Sequence, residues 1–131
     1  MISPTGKGIR SDPKGDGHYG TSRGSRKHKG VDYLCDPEQD IYAPISGIIT
    51  RIAYPYKDKS YSGVVIEGKH LTVKMFYFEP FPDFIKMEVF QGQVIGFSQD
   101  ISQRYGGSPM KPHIHLEIVN IDPSIFTELI A

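Results

Sequence analysis

A chain of 131 residues is long enough for one domain with a real hydrophobic core, so the fold does not depend on covalent staples. Fifteen basic residues balance fifteen acidic ones, which leaves no global field to draw nucleic acid, and no apolar stretch is long enough to span a membrane. A single cysteine, Cys35, excludes an internal disulfide, and 14 Gly with 10 Pro cut the chain into pieces that favour strands and loops over helices.

Residues 1–17 are expected to form a flexible N-terminal arm, and residues 18–131 a single domain. From Met1 to about Lys29 there is almost no aliphatic residue. Seven Lys or Arg between Lys7 and Lys29 face only Asp12 and Asp16 there, the pattern of a solvated segment. This polar start has no hydrophobic region of a secretory signal. If the protein works outside a cell, something other than such a signal is expected to deliver it.

Downstream, GVDYLCD begins a strand, and DIYAPISGIITRIAYPY reads as two short strands bent at Pro44 and Gly47. SGVVIEG and HLTVKMFYF flank a Gly68-Lys69 turn and predict a hairpin. Its second arm puts Leu71, Val73, Met75 and Tyr77 on one face and Thr72, Lys74, Phe76 and Phe78 on the other. MEVFQGQVIGFS predicts a further strand pair around Gln91-Gly92. RYGGSPMKP reads as a loop, HIHLEIVN as the last strand, and the tail IDPSIFTELIA as one helical turn at most. The fold class is all-β: a compact antiparallel sheet or sandwich with little helix.

Two clusters carry chemistry, His28-Lys-Gly-Val-Asp32 and His113-Ile-His115. Residues two apart in a strand share a face, so His113 and His115 present their imidazoles side by side, roughly 6 to 7 Å apart, together with Glu117. Either cluster alone is a weak signal. Together they supply two histidines and a carboxylate with a position left open, the donor set of a catalytic zinc site and also of non-haem iron.

RKHKGVDY followed by IYAPISGIIT, then VFQGQVIGFS, then PHIHLEI resemble, in order, the H-x-G-x-D, A-P-x-x-G, G-q-x-I-G and H-x-H-f-E segments of the M23 (LytM-type) zinc endopeptidases. The resemblance covers about residues 18–124. It implies a compact antiparallel fold with a zinc-bearing groove over an M23-like zinc domain at 18–131. It assigns His28, Asp32 and His115 as Zn2+ ligands and His113 as the catalytic histidine. It also implies peptide cross-links of peptidoglycan, or another extended peptide, as partner, and, with no secretory signal, action at the cell wall after lysis, as a virion component, or by signal-independent export. Where that family carries a second catalytic histidine, this chain reads VKMFYFEP. Tyr77 is the best-matched position and Phe78 its neighbour, while His70 lies in the hairpin turn. A tyrosine hydroxyl can donate to a developing oxyanion but is no base near neutral pH. GVDYLC, IYAPISG and VKMFYFEP also resemble the vertebrate LECT2 group, which has the same fold and zinc site and is regarded as lacking peptidase activity. The alternative function is thus an inactive zinc-containing binding or structural module.

If zinc only stabilised the fold, Cys35 or His18 would close the site, and His18 or Asp16 could block it in a latent form. Glu117 is a candidate to orient a ligand, Tyr19, Tyr33, Tyr54 and Tyr56 are candidate groove walls, and Arg23 and Arg26 are candidate contacts for acidic peptides.

Overall fold

The computed structural model describes the whole chain except Pro13, Gly24, Ser25, Gly107, Ser108 and residues 125–131, and at residues 22, 23, 26 and 27 it describes the backbone alone. Strands β1 (Ser11–Asp12) and β2 (Gly15–Asp16) pair with each other, as do β3 (Ser22–Arg23) and β4 (Arg26–Lys27). The domain itself is built from β5 (Val31–Leu34), β6 (Asp40–Tyr42), β7 (Gly47–Ala53), β8 (Gly63–Glu67), β9 (Leu71–Phe76), β10 (Phe78–Pro80), β11 (Glu88–Val89), β12 (Val94–Ser98) and β13 (His113–Ile121). One sheet has the order β11-β7-β8-β9-β13-β5 and the other β10-β12-β6, and every pairing in them is antiparallel. The expected all-β architecture is therefore present. Among the described residues no helix is long and apolar enough to cross a membrane.

The two sheets share one core. Ile49, Val64, Ile66, Val73, Met75, Ile114 and Leu116 come from the larger sheet, and Ile41, Phe78 and Ile95 from the smaller. Burying one such side chain stabilises the fold by about 1.5–3 kcal/mol, enough to fix each strand's inward face. In β9 the alternation holds for Val73 and Met75, both fully buried. It then breaks at Tyr77, whose φ of 80° puts a bulky residue in the left-handed region. Tyr77 N–H and Phe78 N–H both donate to the Ser62 carbonyl, at 2.7 and 3.1 Å. The chain thereby leaves the larger sheet, Phe78 turns into the core at 0% exposure, and Tyr77 turns out of it. This reverses the faces that strict alternation assigns to these two residues.

The Gly68-Lys69 hairpin forms as expected. The strand pair expected around Gln91-Gly92 is a turn whose arms part company: β11 joins β7 and β12 joins β10 and β6. A 3-10 turn at Ile101–Tyr105, whose last two residues open the expected loop, is capped by Asp100, whose carboxylate accepts from the Ser102 N–H. The tail expected as a helical turn lies, from residue 125 on, outside the described residues.

The described residues among 1–17 lie along the strands. Ile2 N–H donates to the Pro44 carbonyl, Tyr42 N–H to Pro4, Leu34 N–H to Gly8 and Arg10 N–H to Asp32, all between 2.7 and 3.0 Å. Pro4, Thr5 and Arg10 are buried.

Candidate metal centre

Strand register brings the two sequence clusters together. His115 on β13 is directly opposite Asp32 on β5, and His113 is opposite Leu34. Residues opposite one another in an antiparallel pair share a face with Cβ atoms about 5 Å apart, so the imidazole and the carboxylate meet. His28 arrives from the loop before β5, held by its N–H to the Thr21 carbonyl at 2.7 Å and by Gly20 N–H to its own carbonyl at 2.9 Å. All three side chains, and His113, are buried or nearly so.

His28 Nε2, His115 Nδ1 and Asp32 Oδ1 form a triangle with sides of 3.2, 3.1 and 3.0 Å. Three ligands at tetrahedral corners about 2.0 to 2.1 Å from a zinc ion stand about 3.3 Å apart, so the triangle fits the ion with a few tenths of an ångström of opening. The tautomers agree. His28 Nδ1–H donates to the His18 carbonyl at 3.1 Å, and His115 Nε2–H donates to Glu117 Oε1 at 2.9 Å. A carbonyl or carboxylate oxygen has no proton to give, so each ring carries its hydrogen outward and turns a lone pair inward. Two lone pairs and a carboxylate oxygen converge on one point.

His113 Nδ1–H donates to the Lys111 carbonyl at 2.8 Å, leaving Nε2 as an acceptor 3.7 Å from Asp32 Oδ2. Burial holds His113 below the ordinary histidine value. Burial also pulls His115 down, but the Asp32 hydrogen bond and Glu117 outweigh it and leave His115 raised. Asp32 is lowered: burial acts upward, and the bond from His115 with the three neighbouring imidazoles overcomes it.

The site opens into a cavity of about 320 Å³ lined also by Arg10, Lys14, Tyr77, Ile101, Tyr105 and Met110. Hollows of about 490 and 460 Å³ lie elsewhere on the surface, without converging donors among the described residues, so size does not select the site. Tyr77 meets His113 edge to face at 5.4 Å between ring centres. Its hydroxyl lies beside Tyr56, which in turn hydrogen-bonds to Tyr105 at 3.0 Å. Burial pushes the Tyr77 hydroxyl up to about 12. Phe76 stacks on the His115 ring at 5.8 Å and closes its other side.

The structure thus brings His28, Asp32, His113, His115, Glu117, Tyr77 and Tyr56 together. Phe78 and Cys35 sit in the core and His70 at the hairpin turn, where it is bonded to the Asp122 N–H. His18 and Asp16, considered as blocking groups, pair with each other on the surface. Tyr19 and Tyr33 line the separate 460 Å³ groove, and Tyr54 lies under Lys59. The Arg23 and Arg26 side chains are outside the described residues. Sequence reading missed Arg10, Tyr105 and Tyr61, whose ring meets Tyr77 edge to face at 6.3 Å. For Arg10 the available signal was Arg-Ser-Asp at positions 10–12, two opposite charges on one side of an extended segment.

The fold is that of the M23 peptidases. Lysostaphin from Staphylococcus simulans superposes with a TM-score of 0.62 at 18% identity, over 97% of this chain and 53% of that one. The catalytic domain of a prophage-encoded M23 protein from Enterococcus faecalis gives 0.57 at 18% identity, over 86% and 80%. The chain spans about half the length of the lysostaphin chain it matches. No family model matches the sequence. Leukocyte cell-derived chemotaxin-2 from Bos taurus is 34% identical over 118 residues, 88% of this chain and 76% of the relative, and the protein from Mus musculus is 33% identical over 115 residues. The chain belongs to the leukocyte cell-derived chemotaxin-2 family.

Proposed function

We propose that the chain is a zinc metallopeptidase acting on the peptide cross-links of peptidoglycan. Its ligands are His28, Asp32 and His115, its proton carrier is His113, and its oxyanion donor is Tyr77. The observation that carries this reading is the convergence of two imidazole lone pairs and one carboxylate oxygen on a point open to a cavity. Structural zinc sites are closed by a fourth protein ligand, and catalytic ones keep that position for water or substrate.

Zinc, when bound, supplies a Lewis acid that lowers the pKa of a coordinated water toward about 7. His113, anchored through Nδ1 to Lys111, offers Nε2 to take the proton of the attacking water and return it to the leaving amine. Tyr77 remains protonated and donates to the carbonyl oxygen as charge develops there. Glu117 holds the His115 ring by its outer nitrogen, and Phe76 stacks against its face.

A second reading, a zinc-containing module that grips peptide without cutting, is supported by the kinship with chemotaxin-2 proteins and by a tyrosine, no base near neutral pH, standing beside His113. Digestion of purified sacculi by zinc-loaded protein separates the two. New amino termini that vanish with His113→Ala and with chelation establish the peptidase, and intact wall beside one tightly bound zinc establishes the binding module.

A further inference from the structure

The guanidinium of Arg10 is 3% exposed, and the Asp12 carboxylate beside it is fully buried. Nη1 of Arg10 donates to both Asp12 oxygens at 3.1 and 3.0 Å, and Nη2 donates to Asp32 Oδ2 at 3.3 Å. Its Nε is buried without a hydrogen-bond partner among the described residues. Asp12 in turn accepts the Lys111 N–H at 2.9 Å, and the Lys111 carbonyl accepts His113 Nδ1–H at 2.8 Å. The backbone runs in the same direction: Arg10 N–H donates to the Asp32 carbonyl at 2.7 Å, and Asp32 N–H to Gly17 at 2.9 Å.

These contacts divide the two oxygens of Asp32. Oδ1 faces the His28 and His115 imidazoles, and Oδ2 faces Arg10 at 3.3 Å with His113 Nε2 at 3.7 Å. We propose that Arg10, anchored by Asp12, is a positioning residue of the metal centre. It confines Asp32 to ligation through one oxygen and, through Asp12 and Lys111, ties the start of β13 with His113 to the same frame. The proposal rests on the metal-centre reading above. A planar fork suits the task because one guanidinium reaches two carboxylates at fixed angles, which an ammonium cannot do.

Charge alone predicts the opposite behaviour. A buried cation beside a dication repels it, so if Arg10 were only a nearby charge its removal would tighten zinc binding. Positioning predicts that its removal weakens binding, because the Arg10 hold on Oδ2 is lost and Asp12 is left buried without its counter-charge.

The test measures zinc affinity by competition with a chromophoric chelator, and the visible spectrum of the cobalt(II)-loaded protein, for the full chain and for Arg10→Met, Arg10→Lys and Asp12→Asn. Arg10→Met is expected to lose about 10- to 100-fold in affinity and to shift the cobalt bands toward higher coordination. Arg10→Lys and Asp12→Asn are expected to fall between it and the parent. Unchanged or raised affinity in Arg10→Met, with an unchanged cobalt spectrum, overturns the proposal. Should Arg10→Met not fold, parent-like affinity and spectrum in both milder variants overturns it equally. A parent chain that binds no zinc removes the metal-centre reading itself, which is a different result from a parent that binds and variants that match it.

Discussion

Replacing Gly30 by alanine tests the local logic of the H-x-G-x-D segment. A Cβ at Gly30 would stand 2.5 Å from the Leu116 carbonyl oxygen and 2.8 and 2.9 Å from Cε1 and Nε2 of His115. Leu116 is held in the ladder by β5 on one side and β9 on the other, so its backbone cannot retreat alone. Reaching an ordinary contact of 3.4 Å from 2.5 Å requires a shift of about 0.9 Å, taken up largely by the 28–32 loop or by the His115 ring. A metal site tolerates about 0.2 Å. His115 is therefore lost as a ligand, and zinc affinity is expected to fall at least about 100-fold. Overpacking costs about 1–3 kcal/mol, offset by about 0.4–1 kcal/mol from the stiffer unfolded chain, for a net loss of about 1–2 kcal/mol. Chelator competition reads the first quantity and denaturant unfolding of metal-free protein the second. Gly8→Ala, whose Cβ meets nothing within 4 Å, is the control. Zinc affinity in Gly30→Ala within threefold of the parent would refute the reasoning.

The titration of the site gives two pH signatures. His115 is raised above 6.5, so protons compete for its inner nitrogen, and zinc affinity is full above that raised value and is lost as pH falls through it; a pH-independent affinity from 8 to 5.5 contradicts this. His113 is lowered below 6.5 and stays neutral further into acid, so with zinc held saturating at each pH the acid limb of kcat on sacculi is expected below pH 6.5, and a limb above 7 under that condition contradicts its role as proton acceptor. Tyr77→Phe is expected to lower kcat about 10²- to 10³-fold while zinc affinity holds within about twofold, and an unchanged kcat removes the hydroxyl from the mechanism. Burial pushes the Cys35 thiol up to about 12, so Ellman's reagent is expected to leave the native protein unlabelled at pH 8 and to react fully in denaturant. Rapid native labelling would contradict its place in the core.

The candidate ligands were legible because they sit in short local patterns. His28 and Asp32 are four residues apart, His113 and His115 share one strand face, and the hairpin at Gly68 is announced by its flanking β-branched runs. Their joining depended on register, since only the pairing of His115 with Asp32 puts the clusters in contact. Tyr77 was legible as a position but not as a geometry. Neither Gly nor Asn marks the left-handed residue there, and the tertiary hold of Ser62 on two successive N–H groups imposes it. The division of β11 from β12 was equally hidden, because a local turn signal says nothing about which sheet each arm joins. Arg10 lay in a stretch that composition marks as solvated, and its burial comes from Asp12 and Asp32, contacts that no local period announces.

The most direct test of the central claim, that this triangle of atoms is a zinc site with an open position, is X-ray absorption at the zinc edge of the metal-loaded chain. The account expects one zinc per chain with two imidazole nitrogens and two oxygens at about 2.0 to 2.2 Å and no sulfur. A zinc–sulfur distance near about 2.3 Å, or a chain that binds no zinc at neutral pH, would contradict it.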